Sequence, residues 1–343
     1  MRVSEKLIYV GLSGGVDSAV SAALLKNAGA RVQGVFIKGW YPEGLPCTWK
    51  EDREDAMRVA AKLRIPFTTL DAGSEYKTSV LEYLVREYKA GRTPNPDIMC
   101  NRDVKFGVFY RYAKECGADG IATGHYARTK EGRLFRGVDA GKDQSYFLWA
   151  VSKAVLASTH FPLGSLKKNN VRALAKRLHL PVADKKDSQG ICFLGPVSID
   201  EFLERECVVE KGNAYTAEGE KLGQHRGAVL YTLGERVALS EAPSGPWYVI
   251  EKHLDTNTLI VSKHRATLTE QAHIEIEATN WFQEELPTRC EAQYRYHGPR
   301  IEGTFTKRTS TFMPSLPLPE PAASGQSLVL YAGEECLGGG IIR

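Results

Sequence analysis

Leu7-Ile8-Tyr9-Val10-Gly11-Leu12-Ser13-Gly14-Gly15-Val16-Asp17-Ser18 reads as a strand, a glycine turn and the start of a helix. The apolar run from Lys6 to Leu12 gives the strand. Val20, Ala23 and Leu24 share one face of the helix, which Gly29 stops. Such a turn aims backbone N–H groups and the positive end of a helix, about half a charge, at one spot, which suits an anion. Gly14 and Gly15 lack a Cβ, so a phosphate can approach the main chain closely. Ser13 and Ser18 add hydroxyl donors, and Asp17 beside a phosphate makes sense if Mg2+ lies between them. The residue order is neither GxxxxGK[ST] nor GxGxxG, so the Walker loop and the dinucleotide fingerprint are both excluded.

Working outward, strand and helix signals alternate through the first half. Val32–Ile37, Phe67–Leu70 and Gly120–Thr123 are strand-like, while Asp52–Leu63 carries Ala56, Val59, Ala60 and Leu63 at helical spacing. Further helices are expected over Val80–Tyr88 and Val104–Ala113. This alternation predicts an α/β fold with a parallel sheet. Near residue 198 the pattern changes. Ser198 and Glu201 form a capping-box signal for a short helix. Alternating segments follow at Trp247–Glu251, Thr258–Val261, His273–Ala278, Arg289–Tyr296, Gly303–Thr306 and Ser327–Tyr331, and the four prolines of Pro314–Pro321 exclude a central strand there. The expected division is a catalytic α/β domain over 1–207, a small β-rich central domain over 208–268, and a C-terminal β-barrel over 269–343.

The composition agrees with a soluble protein of two or three domains: 343 residues, 43% hydrophobic and 25% charged. The net charge of +4 conceals a split. Residues 1–198 carry 31 Lys+Arg against 20 Asp+Glu, and the remainder carries 14 against 21. A polyanionic partner for the first half fits this asymmetry, as does a solvated basic face. Neither a signal-peptide core nor an apolar run of the roughly 20 residues that a membrane helix needs is present, so a cytoplasmic protein without a membrane segment is expected. The seven cysteines include no CxxC, which removes local zinc and iron–sulfur spacing, and no metal-ligand set of the protein's own is expected.

Two cysteines have distinctive neighbours. Thr93-Pro94-Asn95-Pro96-Asp97-Ile98-Met99-Cys100-Asn101 sets Cys100 after a proline-stiffened turn and before a helix, with Arg92, Arg102 and Lys105 close in sequence to favour thiolate. Asp97 is placed to accept a proton. Cys192 lies in Asp187-Ser188-Gln189-Gly190-Ile191-Cys192-Phe193 behind Lys185 and Lys186, where a reactive thiol and a buried strand residue fit equally well. The other five cysteines read as packing or surface thiols.

SGGVDS after a strand resembles the loop of ATP-cleaving enzymes that release pyrophosphate and adenylylate their substrate. Together with TPNPDIMCN, GHYAR (Gly124–Arg128), KDQSYFL (Lys142–Leu148), DSQGICF and the closing CLGGGII (Cys336–Ile342), the whole chain resembles the bacterial-type tRNA-specific 2-thiouridylases of the PP-loop ATP pyrophosphatase superfamily. The resemblance implies an adenine nucleotide alpha hydrolase-like catalytic domain that puts sulfur on C2 of a wobble uridine of tRNA. ATP with Mg2+ would sit on Gly11, Leu12, Ser13, Gly14, Gly15, Val16, Asp17 and Ser18, with Ile37 and Gly124 also at the nucleotide. Cys192 would carry a persulfide received from a sulfur-donor protein, and Cys100 would resolve it, leaving a Cys100–Cys192 disulfide. Asp97 would accept a proton or position the base. The tRNA would meet Asn95, Pro96, Asp97, His125, Lys142, Asp143, Gln144, Arg295, Tyr296 and Gln326. Some relatives carry a cysteine where Asp97 stands, so no thiol role exists there. Another adenylylating enzyme would have no use for paired cysteines, and an RNA-binding protein with a vestigial loop would tolerate the loss of Asp17.

Overall fold

The computed structural model describes residues 3–41, 49–187, 197–239, 245–264 and 273–343. Cys47, Cys192 with its neighbours 188–193, and the expected boundary at 268/269 lie outside them.

Five strands, β1 (Leu7–Gly11), β2 (Arg31–Lys38), β3 (Phe67–Asp71), β4 (Gly120–Ala122) and β7 (Thr159–His160), form a wholly parallel sheet in the order β3-β2-β1-β4-β7. The alternation of side chains divides the core between its faces. Ile8, Val10, Val32 and Phe36 pack with Val16 and Val20 of the helix Val16–Asn27, whereas Tyr9, Val35 and Ile37 enter a second cluster with Leu84, Ile98 and Phe109. The order reverses between β1 and β4, and the crevice outside their carboxyl ends is where open α/β sheets take ligands.

The two expected helices are longer than their periodicity suggests. Gly73–Tyr76 runs through a π-helical stretch, Lys77–Glu82, into Tyr83–Lys89; Pro96–Met99 runs through Cys100–Val108, also π-helical, into Phe109–Glu115. A π-helical stretch shifts side chains off the 3.6-residue stripe, which blurs the sequence signal. Cys100 therefore lies inside a helix and not before one.

The capping box holds: Ser198 Oγ accepts from the Glu201 N–H at 3.2 Å, and Glu201 Oε2 accepts from the Ser198 N–H at 2.8 Å, opening the helix Ile199–Glu206. Beyond it β8 (Gly212–Tyr215), β9 (Lys221–His225), β10 (Arg236–Val237), β11 (Trp247–His253) and β12 (Thr258–Ser262) make a second sheet, ordered β10-β11-β12-β8-β9. The strands β13 (Ile274–Trp281), β14 (Arg289–Gln293), β15 (Ile301–Thr306), β16 (Thr311–Pro314), β17 (Ser327–Ala332) and β18 (Glu335–Ile342) close into a barrel through the β13–β18 pairing.

One hairpin crosses the expected 1–207 limit. β5 (Ala127–Lys130) and β6 (Arg133–Arg136) pair with each other outside the catalytic sheet, and β6 pairs with β18 of the barrel. Their joint is polar at its centre. Arg136 is 6% exposed, donates from Nη1 to Asp143 Oδ2 at 3.2 Å, and lies 3.5 Å over the buried ring of Tyr331. Arg136→Ala leaves Asp143 buried without its cation, so about 3–5 kcal/mol of stability should be lost. Arg133, exposed to solvent in its pair with Glu335, should cost far less as Ala. Urea unfolding of the two variants checks this, and equal losses would refute a buried polar joint.

Candidate functional site

The glycine turn lies in the crevice at the β1–β4 reversal. Gly14 has φ +75°, and a Cβ built there would stand 2.2 Å from the Asp52 carbonyl oxygen, so the helix Trp49–Leu63 closes one side of the turn. A Cβ on Gly15 would meet only Ser13 Oγ, at 3.4 Å, which leaves that side of the main chain approachable. Ser18 donates from Oγ to the Gly15 carbonyl at 3.1 Å and accepts from the Ser13 N–H at 3.2 Å, bracing the turn from within. Gly124, just past β4, packs on the same turn: its Cβ would lie 2.8 Å from the Ser18 nitrogen. Ile37 Cδ1 comes within 4.0 Å of a Cβ on Gly11. The sheet thus gathers Gly11, the loop through Ser18, Ile37 and Gly124 in one place.

Beside this turn is an ion network that motif reading did not single out. Lys168 Nζ contacts Asp17 Oδ1 and Oδ2 at 2.8 and 2.7 Å, and Asp187 Oδ1 at 2.9 Å. The Tyr126 hydroxyl donates to Asp17 Oδ1 at 2.8 Å. Asp187 also takes Arg172 at 2.7 Å and Lys142 at 2.9 Å. Burial alone would raise the Asp187 carboxyl; hydrogen bonds from Lys168 and Lys142 outweigh it and hold the group at about 2.

A second concavity forms where three domains meet. Asn95 caps the helix Pro96–Met99, its Oδ1 accepting from the Asp97 N–H at 3.1 Å, with Pro96 at the first helical position. The strand-like approach to this cap is pinned from both other domains: the Thr93 N–H donates to Ser324 O at 2.8 Å, Gln326 Nε2 donates to Thr93 O at 2.8 Å, and the Thr93 and Thr232 hydroxyls lie 3.2 Å apart. Asn95, Pro96, Asp97, Phe147, Tyr296 and Gln326 line a cavity of about 400 Å³. The Phe147 and Tyr296 rings are 4.3 Å apart and Tyr296 stacks on His297 at 3.9 Å, giving an aromatic wall across the domain junction. Burial first, then the charges of Asp143 and Asp97, push the Tyr296 hydroxyl up to about 12.

The expected residues divide by setting. Asn95, Pro96, Asp97, Tyr296 and Gln326 share this cavity. Asp143 is not an open contact: its carboxylate accepts from the Gly137 and Ser145 N–H groups at 2.9 and 3.1 Å and pairs with Arg136. Buried acceptors consumed in this way organise the loop that carries the neighbouring Lys142 and Gln144. Gln144 Oε1 accepts from the Tyr126 N–H at 3.0 Å, and Arg295 pairs with Glu320 at 2.6 Å. His125 is 8% exposed, set between Phe106 and Phe161, and burial followed by the charge of Lys105 drives it well below 6.5, so it is neutral at pH 7. Cys100 is fully buried. Arg92 and Arg102, expected to favour its thiolate, are committed to Glu87 at 2.5 Å and Asp103 at 2.8 Å.

Lys168 was missed because Lys167-Lys168-Asn169-Asn170 reads as a solvated helix start. Phe147 and Tyr126 stood in recognised motifs, but nothing in their spacing marked them. Among the described residues no helix is long and apolar enough to cross a membrane, and no group of three or more His, Cys, Asp or Glu could hold a metal ion.

Residues 6–196 match the model of the tRNA methyl transferase HUP domain, residues 200–263 that of the tRNA methyl transferase PRC-barrel domain, and residues 271–342 that of the aminomethyltransferase beta-barrel domain. The chain is 42% identical over 365 residues to the tRNA-specific 2-thiouridylase MnmA of Enterococcus faecalis, covering 99% of this chain and 96% of that protein. It is 43% identical over 356 residues to the protein of the same name from Pseudomonas fluorescens, covering 99% and 95%.

Proposed function

The chain belongs to the tRNA-specific 2-thiouridylase family, and on that premise we propose that it thiolates C2 of a wobble uridine in tRNA at the expense of ATP. The observation that carries the reading is the joint placement of the SGGVDS turn in the sheet crevice and of Asp97 in a cavity walled by Phe147 and Tyr296. The methyl-transfer names of the domain models are not carried over, because both full-length relatives are named for thiolation.

In this proposal ATP lies on Gly11–Ser18, Ile37 and Gly124. The open main chain at Gly15 and the half-charge of the helix Val16–Asn27 fit a phosphate. Mg2+ would enter with the nucleotide against Asp17, where it would offset phosphate charge. The uracil O2 attacks the α-phosphorus and pyrophosphate departs, turning a poor leaving group into AMP. A persulfide on Cys192, delivered by a sulfur-donor protein, attacks C2 with its outer sulfur and AMP leaves. The Cys100 thiolate then attacks the Cys192 sulfur; the S–S bond to the base breaks, its electron pair stays with the C2 sulfur, and a Cys100–Cys192 disulfide remains. Free hydrosulfide released from the persulfide is the other form in which sulfur could reach C2.

Asp97, at the first turn of its helix and on the cavity wall, positions the base and accepts its proton. An unpaired anticodon base is cheap to extrude, and aromatic rings stack on bases without regard to sequence. Asn95, Pro96, Tyr296 and Gln326 would line the base pocket, with Lys142, Gln144, Arg295 and His125 nearer its rim or supporting it. The enzyme would act in the cytoplasm, and 1–207, 208–268 and 269–343 would be its catalytic, central and RNA-gripping parts.

The test is direct. Purified protein with Mg2+, ATP, a persulfide donor and unmodified tRNA should yield 2-thiouridine by mass spectrometry of nucleosides, with one AMP formed per sulfur inserted. A folded protein that forms none under varied donors would sink the proposal.

A further inference from the structure

Lys168 serves none of the roles above, yet it is the most constrained ammonium near the phosphate turn. It begins the helix Lys168–Arg177 and is 9% exposed. Its Nζ touches three carboxylate oxygens, two of Asp17 and one of Asp187, all within 2.9 Å. Its own N–H donates to Asp139 Oδ2 at 2.8 Å, fixing the helix start. Burying an ammonium is costly unless it is paired, and a residue needed only for packing would be apolar. Lys168, Arg172 and Lys142 meet Asp17 and Asp187, and Asp139 accepts from the Lys168 N–H, so the network is balanced only while each of these cations stays in place beside a turn built for an anion.

We propose that Lys168 is a positioning residue of the nucleotide site that neutralises the polyphosphate, and that Asp187 holds its ammonium in place for this role. Asp187 adds a second link. It is paired with Lys142, one of the expected tRNA contacts, and it lies five positions before Cys192 in the chain. The chain Asp17–Lys168–Asp187–Lys142 therefore ties the phosphate turn to the RNA side by direct contacts of 2.7–2.9 Å. This inference rests on the nucleotide reading above.

The experiment compares three probes by calorimetry in Mg2+ buffer: a non-hydrolysable ATP analogue, inorganic pyrophosphate and adenosine. Wild type should bind all three. Lys168→Met should weaken the ATP analogue and pyrophosphate by on the order of 10–100-fold while adenosine affinity stays within about twofold, since the positive charge that holds Asp17 and offsets the phosphates is lost and the base site is untouched. Asp187→Asn keeps the ammonium and its contacts to Asp17 but removes the second carboxylate that fixes it. It should weaken the same two probes by a smaller factor, and it guards against misfolding of the methionine variant. Failure of wild type to bind the ATP analogue would overturn the nucleotide reading and this inference with it. Wild-type binding with unchanged polyphosphate affinity in both variants would overturn the inference alone. So would a loss of adenosine affinity equal to that of ATP, which would show a merely structural role.

Discussion

Cys100→Ala should abolish thiolation, by on the order of 10³-fold or more, while the protein still folds and still binds tRNA. The proposed resolving step needs a sulfur that can attack another sulfur, and neither a methyl group nor a hydroxyl can do so. Alanine is the informative replacement. Cys100 is fully buried in the core cluster with Ile98, Met99 and Val104, so serine would bury a hydroxyl and cost roughly 1–3 kcal/mol if it found no partner. Alanine removes the sulfur without adding a polar group. Cys192→Ala should lose turnover to the same extent. Cys290→Ala and Cys116→Ala should not: burial raises the Cys290 thiol to about 11, and Cys116 is an exposed surface residue. Single-turnover 2-thiouridine formation, filter binding of tRNA and a melting curve for each variant separate these cases. Wild-type turnover in Cys100→Ala would remove it from the mechanism.

The phosphate turn was legible because everything that defines it is local. An apolar strand, three glycines and a helix start lie within Leu7–Ser18, and the sheet only had to put Ile37 and Gly124 beside them. The hairpin β5–β6 was not legible, because Ala127–Lys130 and Arg133–Arg136 are short and rich in cations. They become strands by pairing with each other and, through Arg133–Arg136, with β18, about 200 residues away. Motifs also failed to tell an open side chain from a consumed one. Lys142, Asp143 and Gln144 are adjacent in sequence, yet Asp143 is buried among backbone donors while Lys142 reaches Asp187 at 43% side-chain exposure. Gln326 lines the cavity and also holds Thr93. What joins these positions is three-domain packing, which local periodicity does not encode.

Gly14→Ala should be a severely damaging methyl, and it falls in the phosphate turn itself. Two costs combine there. The backbone is left-handed, at φ +75°, which costs an L residue about 1–2 kcal/mol. The new carbon would also stand 2.2 Å from the Asp52 carbonyl oxygen, a backbone atom of the helix Trp49–Leu63 that cannot swing aside. Gly117 isolates the first cost, since its φ is +79° and no atom lies within 4 Å of its Cβ position. Gly117→Ala should therefore lose only about 1–2 kcal/mol and keep its turnover. Gly14→Ala must displace either the turn or the helix beside it, so on the order of 10²-fold of ATP affinity should go along with a larger loss of stability. Gly15→Ala completes the comparison. Its Cβ meets only Ser13 Oγ at 3.4 Å, so it should melt like wild type while still binding ATP more weakly, because the methyl occupies the side of the turn that a phosphate approaches. Melting curves and ATP titrations of the three variants decide it. If Gly14→Ala behaved like Gly117→Ala in both measurements, the turn would not be held against Asp52, and its shape could not be the basis of phosphate binding.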